Sequence, residues 1–161
     1  MRIRQDTGLI NDSARELVAL LARFNPAIRT LVREARTTLR RRMPTAIELV
    51  YDNARALAIG FASSERTSDT IVSLAVYTRG VNLYFMYGAA LRDPNHLLLG
   101  SGNQGRFVRL ESAEMLDRDE IDDLLAAAIA EGDTPLPASG CGRFIIKSVS
   151  PARRTGTRLR R

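Results

Sequence analysis

Apolar side chains recur at helical spacing over the first forty residues, in two segments separated by Asn25-Pro26. The first segment, residues 12–24, predicts a helix with one apolar face. The second begins at Pro26, which is favoured at the first position of a helix, and runs to about Arg41. Its apolar stripe recurs every three or four residues and consists of Ile28, Leu31, Val32, Ala35 and Leu39. Two N-terminal helices are therefore expected.

Between residues 46 and 110 the pattern changes to short segments rich in β-branched and aromatic residues, separated by turn residues. The segments read AIELVY, ALAIGFA, TIVSLAVY, VNLYFMY and RFVRL. Since no helical segment separates them, they predict an antiparallel sheet of about five strands. A third helix is predicted to begin at Asp117, with Glu120 completing a capping box, and to end before Gly132. The segment RFIIKSV, residues 143–149, predicts a late strand or an extended docked segment.

These elements predict an α+β domain. Two N-terminal helices and one C-terminal helix should pack on an antiparallel sheet of about five strands. The length of 161 residues suits a single domain, which we place at residues 1–150. Residues 151–161 are expected to form a basic, disordered tail.

The charge is unevenly distributed along the chain. The net charge is +6, with 24 basic and 18 acidic residues, and five of the basic residues lie in the last eleven positions. Removing those five leaves 19 basic residues against the 18 acids, so the basic character belongs mostly to the tail. All basic residues except Lys147 are arginines, which is more typical of a GC-rich genome than of selected contacts. An individual arginine is therefore weak support for a binding role.

The composition also bears on location and metals. No run of about eighteen apolar residues predicts a membrane helix, and the N-terminus lacks the apolar stretch of a signal peptide. One cysteine, Cys141, cannot form an internal disulfide, which fits a reducing cytoplasm. With one cysteine and one histidine, His96, a Cys/His zinc site is not expected. We expect a cytoplasmic protein without a cofactor.

The segment LLLGSGNQGRFVRL contains Gly100, Gly102 and Gly105 in the pattern G-x-G-x-x-G. In a dinucleotide-binding loop this pattern follows a strand and opens a helix, whose N-terminus receives the pyrophosphate. Here the third glycine is followed by RFVRL, which predicts a strand. The pattern therefore does not indicate a dinucleotide site, and its glycines are expected to allow a positive φ.

The same region resembles the YdhG-like (DUF1801) family, over roughly residues 15–150. The family pattern is a strand with Phe and Gly, then L-x-D-P-x-x-L-L-x-G-x-G and a strand that begins with Arg. The matching residues are Phe85, Gly88, Leu91, Asp93, Pro94, Leu97, Leu98, Gly100, Gly102 and Arg106. Upstream, Glu48 and Tyr51 resemble the family's E-x-x-x-Y strand with one residue fewer between them, and Asp52-Asn53-Ala54 replaces its usual Gly-x-Pro; FIIKSVSPARR resembles a common family C-terminus. The resemblance implies a compact α+β domain without an agreed enzymatic activity.

One branch of that family resembles frataxin in fold and is linked with iron handling, which gives metal handling as a third, less favoured function. An iron site needs clustered carboxylates. The acids of the third predicted helix are Asp117, Asp119, Glu120, Asp122 and Asp123. Acids in a first helical turn are also expected from the helix dipole alone, so the cluster is weak support for a metal.

Two surfaces remain as candidates. The first is a polar loop at which a small ligand or a protein partner would bind, and it consists of Arg92, Asp93, Asn95, Asn103, Gln104 and Arg106. In the alternative structural interpretation, Asp93 and Arg106 pair with each other and hold this loop shut. The second surface would track the phosphates of a nucleic acid, and it consists of Arg29, Arg33, Arg36 and Arg40 on the second helix with Arg153 and Arg154 of the tail. Those helix arginines could instead cover apolar edges with their stems.

The leading functional prediction is thus a non-catalytic binding module, acting as a monomer or a homodimer, with weak nucleic-acid association as the alternative. His96 and Cys141 could serve as a general base and a reactive thiol. No motif ties either residue to a partner, so both are expected to be ordinary turn or loop residues.

Overall fold

Two helices open the fold in the computed structural model, which describes residues 6–53 and 55–149. Helix α1 spans Asp6–Leu21 and α2 spans Pro26–Arg42. Asn25 caps α2 by accepting a hydrogen bond from the Ile28 amide at 2.9 Å, and Pro26 follows it as the first helical residue. The predicted helix 12–24 was placed too late, because α1 begins six residues earlier and ends at Leu21.

The sheet has six strands within the described residues. They are β1 (Ile47–Asp52), β2 (Leu57–Ala62), β3 (Thr70–Tyr77), β4 (Gly80–Phe85), β5 (Arg106–Leu110) and β6 (Phe144–Val149). Their order is β5-β4-β3-β2-β1-β6, with antiparallel pairing everywhere except between β1 and β6, which are parallel. The segment RFIIKSV therefore forms a strand, and the sheet is larger by that strand than the five-stranded expectation.

The third helix, α3, spans Asp119–Ala130. It begins two residues after the predicted start, because Ala113–Asp117 forms a 3-10 turn. Arg118 occupies the N-cap position and makes no side-chain capping bond, so the predicted capping box at Asp117 is wrong. The α+β class with two N-terminal helices and one C-terminal helix is confirmed.

One face of the sheet packs against the helices. Alternate residues of β2, β3 and β4 point to this face and are buried, and they meet the apolar stripe of α2. The stripe buries Ile28, Val32, Ala35 and Leu39. Each large apolar side chain removed from water in this way stabilises the fold by on the order of 2 kcal/mol. Two carboxylates, Glu48 and Asp52, also lie buried on β1, and they bear on the site described next.

Candidate functional site

The predicted polar loop lies in the connection between β4 and β5, residues 86–105, which folds back on β5. Gly88 is buried at its first corner, where an added Cβ would lie 2.7 Å from the Arg106 Cβ and 3.0 Å from the Arg106 amide nitrogen. Further on, Leu99 and Phe107 exchange backbone hydrogen bonds of 2.8 and 3.0 Å. The connection is therefore tied to β5 at both places, and only a glycine fits the first.

Both carboxylate oxygens of Asp93 accept hydrogen bonds from backbone amides of the connection. One of its carboxylate oxygens accepts a hydrogen bond from the Leu97 amide at 2.9 Å, and the other accepts one from the Leu98 amide at 2.8 Å. The Asp93 carbonyl also accepts a bond from the His96 amide at 3.1 Å, and His96 has a φ of 53°. Asp93 thus closes a tight turn, as aspartate at the start of a turn commonly does. The turn places His96 at its exposed corner.

Arg106 holds the second half of the connection. Its guanidinium group donates to the Gly105 carbonyl at 2.7 Å and to the Gly102 carbonyl at 2.8 Å. Gly100 and Gly102 have φ values of 112° and 92°, which confirms the expected positive φ for these two glycines. The expectation is wrong for Gly105, whose φ is not positive and which instead lies so close to Tyr84 that an added Cβ would overlap that side chain. The alternative in which Asp93 and Arg106 pair with each other is wrong, since each of these two described residues bonds to backbone groups instead.

The remaining members of the predicted loop site point away from the fold. Arg92, Asn95, Asn103 and Gln104 are all exposed. The structure therefore places five of the six predicted residues in this connection and Arg106 at the start of β5, and the side chains of Asp93 and Arg106 shape the connection. The other four lie on its outer surface.

A cleft of about 170 Å³ opens beside the start of this connection; we call it the Asp69 cleft. Its walls come from the β2–β3 connection and β3, from the first residues of the β4–β5 connection and from the end of α3. The lining residues are Ser63, Ser68, Asp69, Thr70, Ile71, Phe85, Tyr87, Ala90, Leu91, Ala128, Glu131, Gly132, Asp133 and Thr134. The Tyr87 hydroxyl donates to the Ser68 carbonyl at 2.6 Å and so joins two of these walls.

Asp69 is the buried carboxylate of this cleft, with 8% of its surface exposed. It accepts hydrogen bonds from Arg66 Nε at 3.1 Å, from the Ser64 hydroxyl at 2.5 Å and from the Thr134 hydroxyl at 3.2 Å. The hydrogen bond from Arg66, supported by the two hydroxyls, holds the pKa of Asp69 below its usual range. The same bond raises the pKa of Arg66. Asp69 therefore stays ionised at neutral pH.

The lining of the Asp69 cleft has an excess of negative charge. Glu131 and Asp133 stand beside Asp69 among the lining residues, which include no arginine or lysine. Arg66 compensates Asp69 from outside the lining, and its side chain is 72% exposed. Ile71, Phe85 and other apolar residues form the rest of the surface, so the cleft combines carboxylates with an apolar wall.

The second-helix arginines line a larger recess of about 530 Å³, which we call the arginine groove. Helices α1 and α2 and one residue of β6 form its walls. The lining residues are Ala14, Leu17, Val18, Leu21, Pro26, Arg29, Thr30, Arg33, Arg36, Arg40 and Phe144. All four predicted arginines of α2 are thus brought together, whereas Arg153 and Arg154 lie outside the described residues.

Two of these arginines hold the buried carboxylate of Glu48. Arg36 reaches Glu48 Oε2 through Nε and through Nη2, both at 2.9 Å. Arg40 Nε lies 3.0 Å from Glu48 Oε1, at ion-pair distance but without the alignment of a hydrogen bond. Arg36 and Arg40 therefore have a structural role, which they fill through ion pairs with Glu48, whereas the alternative interpretation of the stripe expected their stems to cover apolar edges.

The other two arginines meet only uncharged groups among the described residues. Arg29 donates to the Phe24 carbonyl at 3.2 Å and to the Ala22 carbonyl at 3.4 Å. Arg33 donates to the Thr30 hydroxyl at 3.4 Å. Neither contact supplies a negative charge, so the charges of Arg29 and Arg33 face the groove without a counterion.

No cluster of three potential metal-ligating side chains occurs in residues 6–53 and 55–149. Four of the predicted acids lie within the first five residues of α3 and Asp117 ends the preceding 3-10 turn, and Asp122 pairs with Arg42 of α2. Cys141 is exposed.

Sequence reasoning missed the three buried carboxylates, Asp69, Glu48 and Asp52, as organising residues. Asp69 lies in SSERTSD, a segment that the sequence identifies only as a hairpin connection. Glu48 and Asp52 offered a usable signal, since acids at alternate positions of an apolar strand must find cations when that face is buried. Arg36, Arg40 and Arg23 are those cations, with Arg23 Nη2 lying 2.7 Å from Asp52 Oδ1.

Comparisons with family models, with curated proteins and with solved structures give no match. Among the described residues, no helix is both long enough and apolar enough to span a membrane. Function must therefore be argued from the two recesses themselves.

Proposed function

We propose that this chain is a non-catalytic binding module that takes up a small cationic ligand in the Asp69 cleft. The observation that carries the proposal is the lining of the cleft, which includes no arginine or lysine and in which Glu131 and Asp133 add two carboxylates to Asp69, whose own charge Arg66 compensates. A buried or half-buried cation needs a negative partner, and these carboxylates supply it. The proposal keeps the ligand next to the predicted loop, at its first residues rather than at its tip.

The ligand is a compact amine with an apolar body. Carboxylates at the rim would receive the ammonium group, while Ile71, Phe85 and Leu91 offer apolar contact. The volume of about 170 Å³ is below the roughly 300–1,000 Å³ typical of pockets for drug-sized ligands, which limits the ligand to a small molecule. Tyr87 would close one side, because its hydroxyl is already fixed on the Ser68 carbonyl.

The experiment is thermal unfolding of the full chain at fixed pH with butylamine or phenethylamine, with butanol and butanoate as matched controls. The amines should raise the melting temperature, since a ligand that binds only the folded state stabilises it. Butanol lacks the charge and butanoate reverses it, so both should leave the melting temperature unchanged. Equal shifts with butylamine and butanoate would contradict the proposal.

A pair of variants on α3 locates the binding. Ala128 lines the cleft, and Ala128→Leu should fill it and abolish the shift with amines. Ala126 lies exposed on the same helix, so Ala126→Leu makes the same chemical change outside the cleft and should leave the shift intact. An undiminished shift in Ala128→Leu would place the amine elsewhere.

Several predictions from the sequence stay proposals beside this one. Membership of the YdhG-like family and a cytoplasmic location rest on the quoted motif and on the single cysteine. A protein partner at the exposed tip of the β4–β5 connection and a homodimer also stay open to test. Nucleic-acid binding through the arginines is tested by the same experiments as ligand binding in the arginine groove.

A further inference from the structure

The arginine groove is basic on one wall and apolar on the other. The apolar wall belongs to α1, where Leu17 and Leu21 are buried beneath Val18, whose exposed fraction is 68%. Phe144 of β6 extends that wall, and its ring lies 5.6 Å from the Arg36 guanidinium carbon. An exposed valine at the edge of a concave apolar surface leaves an area that a ligand could remove from water.

Within residues 6–53 and 55–149, the positive charge of the groove is not balanced by neighbouring acids. Four arginines line it, and Glu48 beneath them compensates at most one of those charges. The lining itself includes no acid. Arg29 and Arg33 have only carbonyl and hydroxyl partners among the described residues, so their guanidinium groups keep an unmet preference for an anion.

We propose that the arginine groove binds a single-chain amphiphilic anion, a fatty-acid carboxylate. Its head group would lie against Arg29 and Arg33, and its acyl chain would lie along Leu17, Val18 and Phe144. The groove volume of about 530 Å³ falls within the range of roughly 300–1,000 Å³ that is typical of ligand pockets. This site is separate from the Asp69 cleft, and its lining shares no residue with that cleft.

A nucleic acid fits the same groove less well. A phosphate backbone needs a series of uncompensated cations, and Glu48 already holds Arg36 and Arg40. Successive bases need a series of aromatic faces on which to stack, and the lining offers one aromatic residue, Phe144. The apolar wall of α1, by contrast, matches an acyl chain and offers nothing to a polyanion.

The experiment is isothermal titration of the full chain with dodecanoate below its micelle concentration. Dodecanol and butanoate serve as matched ligands that lack the charge and the chain, respectively. Dodecanoate should bind clearly more tightly than either, because the groove supplies both a cationic and an apolar contact. Equal affinity for dodecanol would overturn the proposal, since the arginines would then contribute nothing.

Two charge-reversal variants on α2 locate the head group. Arg33→Glu should weaken dodecanoate binding by about tenfold or more, as expected for the loss of a charge-assisted hydrogen bond. Arg41 is exposed on the same helix and does not line the groove, so Arg41→Glu makes an identical charge change and should alter the affinity by less than about twofold. Similar losses in both variants would mean that general electrostatic attraction, and not this groove, binds the ligand.

A variant of the apolar wall completes the test. Val18→Asp should fold, because the side chain is largely exposed, and it should weaken dodecanoate binding through both polarity and charge. Unchanged affinity in Val18→Asp would overturn the placement of the chain. If single-stranded oligothymidine binds and is lost in Arg33→Glu while dodecanoate does not bind, the groove belongs to nucleic acid and the proposal fails.

Discussion

The two recesses of the protein are each organised by a buried carboxylate, yet their surroundings leave opposite charges in excess. Beneath the arginine groove, Glu48 is held by Arg36 and Arg40, and two further arginines line the recess without an acidic partner in the part of the chain that the structure describes. In the Asp69 cleft, Arg66 and two hydroxyl groups hold Asp69, and two further carboxylates stand among the lining residues.

The difference shows that a buried ion pair does not set the charge of the recess beside it. The pairs join neighbouring elements of the walls, and under the two proposals the remaining charges would select the ligand of each recess. The two pairs also differ in how far they are shielded from water. The Arg36 side chain is 20% exposed, whereas that of Arg66 is 72% exposed. We therefore expect the carboxylate beneath the groove to matter more for stability than the carboxylate of the cleft.

Glu48→Ala should have the largest effect on stability, because it removes the carboxylate that holds Arg36 and Arg40 of the groove. Removal of the carboxylate leaves the Arg36 guanidinium mostly buried without its anion, and the variant should lose about 3 kcal/mol of unfolding free energy. This lies at the low end of the cost of breaking a buried pair, because the other partner, Arg40, is largely exposed. Urea unfolding of both proteins measures the difference.

Glu34→Ala is the control for Glu48→Ala, since Glu34 is an exposed acid on α2. It should change the unfolding free energy by no more than about 0.5 kcal/mol. If Glu48→Ala lowers the unfolding free energy by no more than this control, the buried carboxylate of Glu48 does not organise the arginine groove. The expectation that Glu48 matters more for stability than Asp69 would then be wrong.

Gly88→Ala should disturb the part of the β4–β5 connection that forms one wall of the Asp69 cleft. The new methyl group would meet the Cβ and amide nitrogen of Arg106, at 2.7 and 3.0 Å, and neither can move without shifting β5. We expect a loss of about 1–3 kcal/mol, as in other overpacked positions, measured by urea unfolding. Gly80→Ala is the control, because nothing lies within 4 Å of an added Cβ there. Similar losses in both variants would contradict the close approach at Gly88.

The sequence predicted most of the fold because its signals were local. Pro26 and the stripe of α2 fix a helix, and the alternation in TIVSLAVY and VNLYFMY fixes adjacent strands, whatever lies elsewhere in the chain. The start of α3 was missed because Ala113–Asp117 satisfies its backbone as a 3-10 turn, which competes with a capping box in the same residues. The parallel placement of β6 beside β1 depends on long-range packing and has no local signal.

The candidate sites were harder to predict for a different reason. Residue types identify polar groups but not their partners, and the Asp93 and Arg106 side chains bond to the backbone of the β4–β5 connection. The arginine stripe was more predictable, because helical spacing alone puts Arg29, Arg33, Arg36 and Arg40 on one side of α2. The crossing of α2 over β1 decides which two of those arginines pair with Glu48. The spacing of residues along α2 does not predict that crossing.

Asp93→Ala tests whether the β4–β5 connection is stabilised by its own hydrogen bonds. Asp93 lines neither recess, so the test is independent of both. Loss of the two bonds to the Leu97 and Leu98 amides should cost about 1–2 kcal/mol, because two backbone donors lose their acceptor in a half-buried turn. Amide hydrogen exchange should speed up at Leu97 and Leu98. Asn95→Ala, at an exposed position of the same turn, should leave both rates unchanged. Unchanged exchange in Asp93→Ala would mean that the carboxylate is available for a ligand after all.

Asp69→Asn should lower the stability least among these variants, and the pH dependence of that loss identifies its cause. The hydrogen bond from Arg66 lowers the pKa of Asp69 in the folded protein, so the ionised form stabilises the fold. That stabilisation is fully present above the unfolded-state pKa of about 3.9 and is lost as the pH falls through the lower folded-state pKa. The melting temperatures of the two proteins should therefore differ by a constant amount at neutral pH and converge below about pH 4.

The effect is small because the partner of Asp69 is solvated. Arg66 exposes 72% of its side chain, so water and salt screen the pair, and added salt should narrow the difference between the two proteins at neutral pH. Asp133→Asn removes an exposed carboxylate from the same cleft and controls for the change in net charge. A difference between Asp69→Asn and the unchanged protein that persists undiminished at pH 3 would mean that the carboxylate acts through its neutral hydrogen bonds with Ser64 and Thr134. The two buried carboxylates would then differ in mechanism as well as in strength.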